Sequence, residues 1–335
     1  KKSADELASR LDNLNKRLVD KFSSTFPIRD NGLSLEAKPL TRIGIYIPKK
    51  MPSSAYTFLS AAVAAGVSEI IIYLAQDNNG DADPLTLYLA QRYKTRILTG
   101  PARIAFPTLA FGTEHVSKCD MICGPCGANM NILKTLCGEV GKVAVDMAAG
   151  PSDLSIIVDN TNKWERIYLD LLSQIEHGPD SKSTLIVVGQ EIGQSLESSR
   201  YFKLINQVPN INLYIVDTPQ IAINKVREIA PETLEIYSRS PDQYLNAIKY
   251  CGVVYKNLSS TLGDYGVIGR GCADPTGGHS IGQSGISPLM FFKLVSVVDS
   301  TSRISLLKSA LNLAKYEGLV AHQNVLEFEL AHLDR

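Results

Sequence analysis

Five histidines in 335 residues leave few places for imidazole chemistry. One of them stands in Ser173-Gln174-Ile175-Glu176-His177-Gly178-Pro179-Asp180-Ser181. Gln174 and His177 are three apart, which puts them on one face of a last helical turn, and Gly178-Pro179 then ends that helix. An amide and an imidazole on one rigid turn make half a metal site. On spacing alone the commoner role is a histidine closing a helix C-terminus, where imidazolium suits the dipole. Asp264 in Gly263-Asp264-Tyr265-Gly266, His279 in a glycine-rich run and His322 in Ala321-His322-Gln323-Asn324 also carry ligand atoms. Taken singly, each is more often a surface polar residue. His115 beside Glu114 reads as a surface cap, and His332 as solvated. Cys119, Cys123 and Cys126 imitate a metal site. However, Asp120-Met121-Ile122-Cys123 reads as a buried strand, which sets Cys119 and Cys123 ~13 Å apart at ~3.3 Å per residue. Small buried hydrophobes fit them better. Nothing in the sequence places a base beside Cys272, so it does not read as a nucleophile.

Several chemistries have no signal. There is no G-x-x-x-x-G-K-[ST] phosphate loop, and Gly269-Arg270-Gly271 lacks both the third glycine and the preceding strand of a dinucleotide fingerprint. There is no G-x-S-x-G elbow and no paired C-x-x-C zinc ribbon. Lys and Arg number 34, as do Asp and Glu, so the general electrostatic footprint of a nucleic-acid or anionic-membrane binder is missing. No apolar run approaches the roughly 18–20 residues that span a bilayer, and Lys1-Lys2-Ser3-Ala4-Asp5-Glu6 shows no signal-peptide core. Six cysteines dispersed over a long chain fit a reducing compartment, so a cytoplasmic location is expected.

The elements that must position these residues alternate between short apolar runs and helical patterns. Residues 1–36 read as a charged helix (Leu7, Leu11, Leu14, Leu18) and a loose arm. A first series follows: strands at Ile43–Ile47, Glu69–Leu74, Arg96–Leu98, Met121–Cys123 and Val143–Asp146, with helices over 53–66, 84–93, 101–111 and 128–137. The second series has strands at Leu154–Val158, Ser183–Val188, Asn212–Val216, Leu234–Tyr237 and Cys251–Tyr255, with helices over 162–177, 191–205, 218–229 and 241–248. Residues 258–289 read as a long loop, 301–317 as a helix and 318–335 as an amphipathic tail. The expected fold class is α/β: two Rossmann-like parallel-sheet βα domains with a helical N-terminal arm and a C-terminal tail. The expected divisions are 1–36, 37–150, 151–257 and 258–335, the last contributing to a dimer.

The sequence resembles the histidinol dehydrogenase family over roughly residues 40–330. Val145-Asp146-Met147-Ala148-Ala149-Gly150-Pro151-Ser152-Asp153 is similar to D-M-x-A-G-P-S-[ED], and Asp170–Ser181 to D-L-x-S-Q-x-E-H-x-x-D-S. Ala110–Glu114, Ala230-Pro231-Glu232, Gly263-Asp264-Tyr265, Pro275–Gly278, Ser284–Ser287 and Glu317–Asn324 follow in the family's order. The resemblance implies a zinc enzyme that oxidises an amino alcohol through the aldehyde to the acid, with two NAD ions as successive acceptors. It implies a metal shell of Gln174, His177, Asp264 and His322, which suits zinc acting as a Lewis acid. The same four, with Ser152 and Glu317, would bind substrate. The segment holding Glu317 and His322 would come from a partner subunit, so an obligate homodimer with shared sites is expected.

The departures are chemical. Where the family has Glu-His after Pro, this chain has Glu232-Thr233, and Thr cannot take a proton near neutral pH. Glu232, with a pKa raised by burial, or a metal-bound water must then supply the base. The family's Thr-Asn-His after Gly-Asp-Tyr becomes Gly266-Val267-Ile268-Gly269-Arg270-Gly271-Cys272-Ala273-Asp274, and His279 is a candidate replacement. The cofactor positions Tyr46, Arg103 and Gly127 lie in altered turns: Tyr46-Ile47-Pro48-Lys49-Lys50, Gly100-Pro101-Ala102-Arg103 and Gly124-Pro125-Cys126-Gly127. Lysines cannot copy the close backbone approach that glycines allow, while the added cation of Arg103 either favours a more anionic ligand such as NADP or marks a degraded or repurposed pocket. The expected activity is oxidation of L-histidinol or a relative with NAD or NADP. The alternatives are a zinc protein with a nicotinamide-independent reaction, and a non-catalytic metal- or ligand-binding protein.

Overall fold

A computed structural model describes residues 1–30, 32–76, 79–147, 151–161, 163–245, 249–267, 279–282, 285–298 and 306–332. The chain opens with helix α1 (Lys2–Ser23), strand β1 (Ile28–Asp30) and strand β2 (Leu33–Pro39). The first α/β series comprises β3 (Arg42–Ile47), α2 (Pro52–Ala65), β4 (Glu69–Ala75), α3 (Pro84–Arg92), β5 (Arg96–Gly100), α4 (Ala105–Phe111), β6 (Met121–Cys123), α5 (Ala128–Gly141) and β7 (Ala144–Val145). The second comprises β8 (Asp153–Val158), α6 (Trp164–Ile175), β9 (Lys182–Val188), α7 (Gln190–Glu197), α8 (Arg200–Asn206), β10 (Ile211–Val216), α9 (Pro219–Ile229), β11 (Thr233–Tyr237), α10 (Asp242–Leu245) and β12 (Val253–Lys256). Then come α11 (Thr261–Asp264), β13 (Phe292–Val298), α12 (Leu307–Glu317) and α13 (Val320–Ala331).

Each series makes a five-stranded parallel sheet, β5-β4-β3-β6-β7 and β10-β9-β8-β11-β12. The two orders are the same when strands are counted within each series. The near-continuous Ile/Val/Leu runs are what a sheet covered on both faces requires. Ile43, Ile45 and Ile47 turn to the α2–α3 side with Phe58 and Leu59, while Tyr46 and Ile122 turn to Phe106 and Leu109 of α4. The second sheet is covered by Trp164, Ile167 and Leu171 of α6 on one face and by Ala222 and Val226 of α9 on the other. Local chemistry sets the ends. Pro52 opens α2, and Gly66 closes it in the left-handed region. Asp83 accepts from Thr86 N at 2.8 Å to cap α3.

The chain forms two compact units. One contains Lys1–Asp20 and Pro39–Phe292, so both α/β series share it, and the other contains Lys21–Lys38 and Lys293–Arg335. Part of the expected loose arm is strand, because β1 and β2 form an antiparallel hairpin that joins β13 in the order β1-β2-β13. The helix expected over 191–205 breaks at Ser198-Ser199, where Ser199 turns extended and its hydroxyl bonds the Leu196 carbonyl at 2.7 Å. The long loop holds α11 and two short 3₁₀ turns, one of which begins at His279. Gly269-Arg270-Gly271, Cys272 and Asp274 lie outside the described residues. Among the described residues no helix is long and apolar enough to cross a membrane.

Candidate active site

Ser152 and Glu232 each stand one residue before a strand, β8 and β11. Those strands are parallel neighbours with Thr233 opposite Leu154, so the two residues meet at the N-terminal edge of the second sheet. Their backbones are fixed by further bonds: Lys182 N donates to Ser152 O at 3.1 Å, Val253 N to Glu232 O at 3.0 Å, and Glu232 N to Asp153 Oδ1 at 2.9 Å. The Ser152 hydroxyl donates to Glu232 Oε2 at 2.9 Å and accepts from Gln174 Nε2 at 2.7 Å. His177 Nδ1 lies 3.2 Å from the same oxygen. A hydroxyl has one proton and two lone pairs. With the proton spent on Glu232, His177 must donate through Nδ1, which leaves the lone pair on Nε2. Burial holds this imidazole below its ordinary pKa, in the neutral form.

His177 does not sit on the helical turn expected for it. The helix α6 ends at Ile175, Glu176 caps it, and His177 belongs to the turn leading to β9. The Gly178-Pro179 signal acts earlier than its position suggests. Gln174 does lie in the last turn of α6 and is buried.

A cavity of about 410 Å³ opens beside this network, lined by Ser152, His177, Glu232 and Asp264 from the second series. Its other wall is Pro48, Met51 and Ser53 at the start of α2, with Pro125, Cys126 and Gly127 at the start of α5. That wall is the C-terminal edge of the first sheet between β3 and β6, the switch point where open α/β sheets bind ligands. Neither α2 nor α5 has a side-chain cap, so their first N–H groups face the cavity end. The turn into α5 is rigid. Gly124 N donates to Asp146 Oδ2 at 2.8 Å, and Lys134 Nζ donates to Gly124 O at 3.2 Å and pairs with Asp146 at 2.7 Å, both side chains being fully buried. Gly124 has φ +124°, and a Cβ there would lie 2.0 Å from Tyr46 O, so the close approach requires glycine.

Asp264 is held from behind. Asp170 of α6 accepts from Tyr237 OH at 2.9 Å and from Ser259 Oγ at 2.6 Å, and the Ser173 and Thr261 hydroxyls meet at 3.2 Å. Ser260 N donates to Glu235 Oε1 at 2.6 Å. These bonds fasten the short helix carrying Asp264 to the helix carrying Gln174. Glu235 is fully buried, and its Oε2 has no partner among the described residues. Burial, and then the charge of Asp170, raise its pKa. Burial also pushes the Asp264 carboxyl up to about 6.

The residues expected to hold zinc divide into two groups. His177 and Asp264 line one cavity, and Gln174 reaches it through Ser152. Among the described residues the Asp264 carboxylate has no hydrogen-bond or ion-pair partner. A half-buried, unpartnered carboxylate and a neutral imidazole on one cavity are a donor set that a divalent cation satisfies. Among the described residues no three of His, Cys, Asp and Glu form a group that could hold a metal ion by themselves, and Gln174, as an amide, is not of those types. His322 is an exposed residue of α13, and Glu317 an exposed residue at the end of α12, both in the second unit.

Of the expected cofactor positions, Gly127 lines the cavity at the start of α5. Tyr46 does not: it is buried against Phe106 with ring centroids 5.2 Å apart, because its place on β3 faces α4. Arg103 is exposed on a 3₁₀ turn and outside the cavity lining. Thr233 is buried inside β11. Lys134 and Glu235 carry no role in the sequence reading, and Asp170 enters it only as the first residue of a motif. Lys134 shares a helical face with Cys137, Gly138 and Gly141, and that spacing was the available signal.

The sequence profile of the histidinol dehydrogenase family matches residues 3–330. The chain is 31% identical over 344 residues to a histidinol dehydrogenase from Oceanobacillus iheyensis, covering 96% of this chain and 80% of that protein. It is 31% identical to one from Xylella fastidiosa, covering 88% and 72%. The crystal structure of histidinol dehydrogenase from Elizabethkingia anophelis superimposes with a TM-score of 0.83 at 27% identity, covering 99% of this chain and 82% of that one.

Proposed function

The chain belongs to the histidinol dehydrogenase family of oxidoreductases, and on that premise we propose that it oxidises L-histidinol or a related amino alcohol towards the acid with NAD or NADP. The observation that carries this reading is the hydrogen-bonded set Ser152–Glu232–Gln174–His177 on a cavity that Asp264 also lines. Glu232 accepts the proton of the substrate hydroxyl. Ser152 holds that carboxylate in place and orients the imidazole with Nε2 toward a ligand. Zinc would be held by His177, Asp264 and the Gln174 amide oxygen, with His322 from a second copy of the chain, and Glu317 of that copy would bind substrate. When bound, zinc supplies Lewis acidity to the reacting oxygen and the nicotinamide accepts hydride. The open N-termini of α2 and α5 suit the pyrophosphate.

The direct test adds histidinol, zinc and either dinucleotide and follows absorbance of the reduced cofactor. Turnover supports the reading, and its absence across a panel of amino alcohols with both cofactors overturns it. A second reading keeps the metal and drops the nicotinamide chemistry. It is favoured by Thr233, a buried strand residue that cannot act as base. Tight calorimetric binding of NAD or NADP would exclude it.

A further inference from the structure

The second sheet repeats the strand order of the first, yet it meets the active-site cavity with its N-terminal edge. Its own switch point, at the C-terminal ends of β8 and β11, is therefore free of that site. A cavity of about 520 Å³ occupies this position, within the range of small-molecule sites. Its lining includes Lys163, Arg166 and Arg239 together with Asn160, Thr161 and Asn257, and no carboxylate among the described residues.

The cations are placed differently. Arg166 is oriented by stacking on Tyr237, 5.3 Å from the ring centroid, with Asp170 3.9 Å behind it. Lys163 and Arg239 are exposed and have no side-chain partner among the described residues. The turn that presents Arg239 is nevertheless rigid. Ser238 N donates to Asn257 Oδ1 at 3.0 Å, Asn257 Nδ2 to Ser238 O at 3.0 Å, and Ser240 N to Ser238 Oγ at 3.0 Å. The acidic neighbours are engaged elsewhere. Asp159 accepts from Ser238, Gln243 and Tyr244, Asp242 pairs with Lys256 at 3.0 Å, and Glu165 lies 4.0 Å from Arg200. The helix α6 begins at this cavity without a side-chain cap, so the positive end of its dipole adds to the charge.

We propose that this cavity is a second ligand site that takes the phosphate group of a small phosphorylated molecule, held between Arg239, Lys163 and Arg166. The chemistry fits phosphate because a guanidinium on a fixed turn offers a planar pair of donors and the ammonium a point charge. The site is separate from the oxidoreductase cavity, so its failure would leave the proposed activity untouched.

The test is calorimetric titration of the full chain, at low ionic strength, with inorganic phosphate, glucose 6-phosphate and uncharged glucose. Heat with either anion and none with glucose is the expected result. Binding of the ester but not the free ion would identify a phosphorylated metabolite, and the converse would identify phosphate itself. Arg239→Glu and Lys163→Glu should each weaken the bound anion by about tenfold or more, with circular dichroism and thermal midpoint unchanged because both side chains are exposed. Absence of heat with both anions overturns the proposal. So does anion binding that these two substitutions leave intact, since the ion would then sit elsewhere.

Discussion

Ser152 carries more of the site than its size suggests, because one hydroxyl is bonded to three functional side chains. Ser152→Ala removes the partner of Glu232, of Gln174 and of the His177 Nδ1 proton together. Groups that orient a metal ligand through its other atoms typically contribute about 10–100-fold in affinity, so competition with a chelator should show the proposed zinc held about 10–100-fold more weakly. Unchanged affinity would remove Ser152 from the site. Glu232→Gln keeps the shape and deletes the proposed base, and kcat should fall by about 10²–10⁴-fold with the fold intact by circular dichroism. A variant that retains full turnover would pass the role of base to another group. Glu235 answers to pH instead. Its carboxyl is raised above the ordinary 4.5 by burial and by Asp170, so the folded state holds a proton that the unfolded chain releases. Its contribution to stability is complete below about pH 4.5 and is lost as pH rises through the raised folded value. Glu235→Gln should therefore flatten the fall in denaturation free energy between about pH 5 and pH 8 relative to the parent. Equal slopes would show that Glu235 is ionised in the fold.

At the scale of the elements, the turn from β6 into α5 depends on the Lys134–Asp146 pair. Removing one partner of a buried ion pair strands the other charge, so Lys134→Ala should cost about 3–5 kcal/mol in chemical denaturation. A loss under about 1 kcal/mol would mean that water reaches the pair. Much of this architecture was legible. Ile43–Ile47, Glu69–Leu74 and Ser183–Val188 announce two-faced strands by unbroken apolar runs, and Gly66 marks the end of α2 within one residue. What was hidden has a common physical cause. Phe292–Val298 is a strand whose side chains are largely exposed, so it has no core stripe to reveal it. Leu234-Glu235-Ile236 looks like alternation toward solvent, yet Glu235 faces a second layer of the protein. His177 escaped its helix because a turn needed for β9 overrides two further residues of helix. The site itself was legible through family motifs rather than through spacing, since Ser152, Gln174 and Glu232 are distant in sequence and meet only through strand pairing.

For the whole molecule, the proposed sharing of sites makes a direct prediction. Glu232→Gln and His322→Ala should each reduce turnover alone to about a hundredth or less. Mixed and refolded in equal amounts they should recover about a quarter of parental activity, because half of the dimers are mixed and each has one intact site. No recovery would confine His322 to its own chain, and full turnover by His322→Ala alone would remove it from catalysis. The second unit exposes Leu313, Tyr316, Val320, Val325 and Phe328 along α12 and α13, an apolar surface that a second copy would cover. The opposed edges of the two sheets also polarise the active-site cleft. One bank is formed where α2 and α5 begin, with their partial positive charge. The other lies where α6 and α9 finish, with partial negative charge and the carboxylates of Glu232 and Asp264. A guest with an anionic head and a cationic tail is thus aligned by the field of the backbone before any side chain grips it.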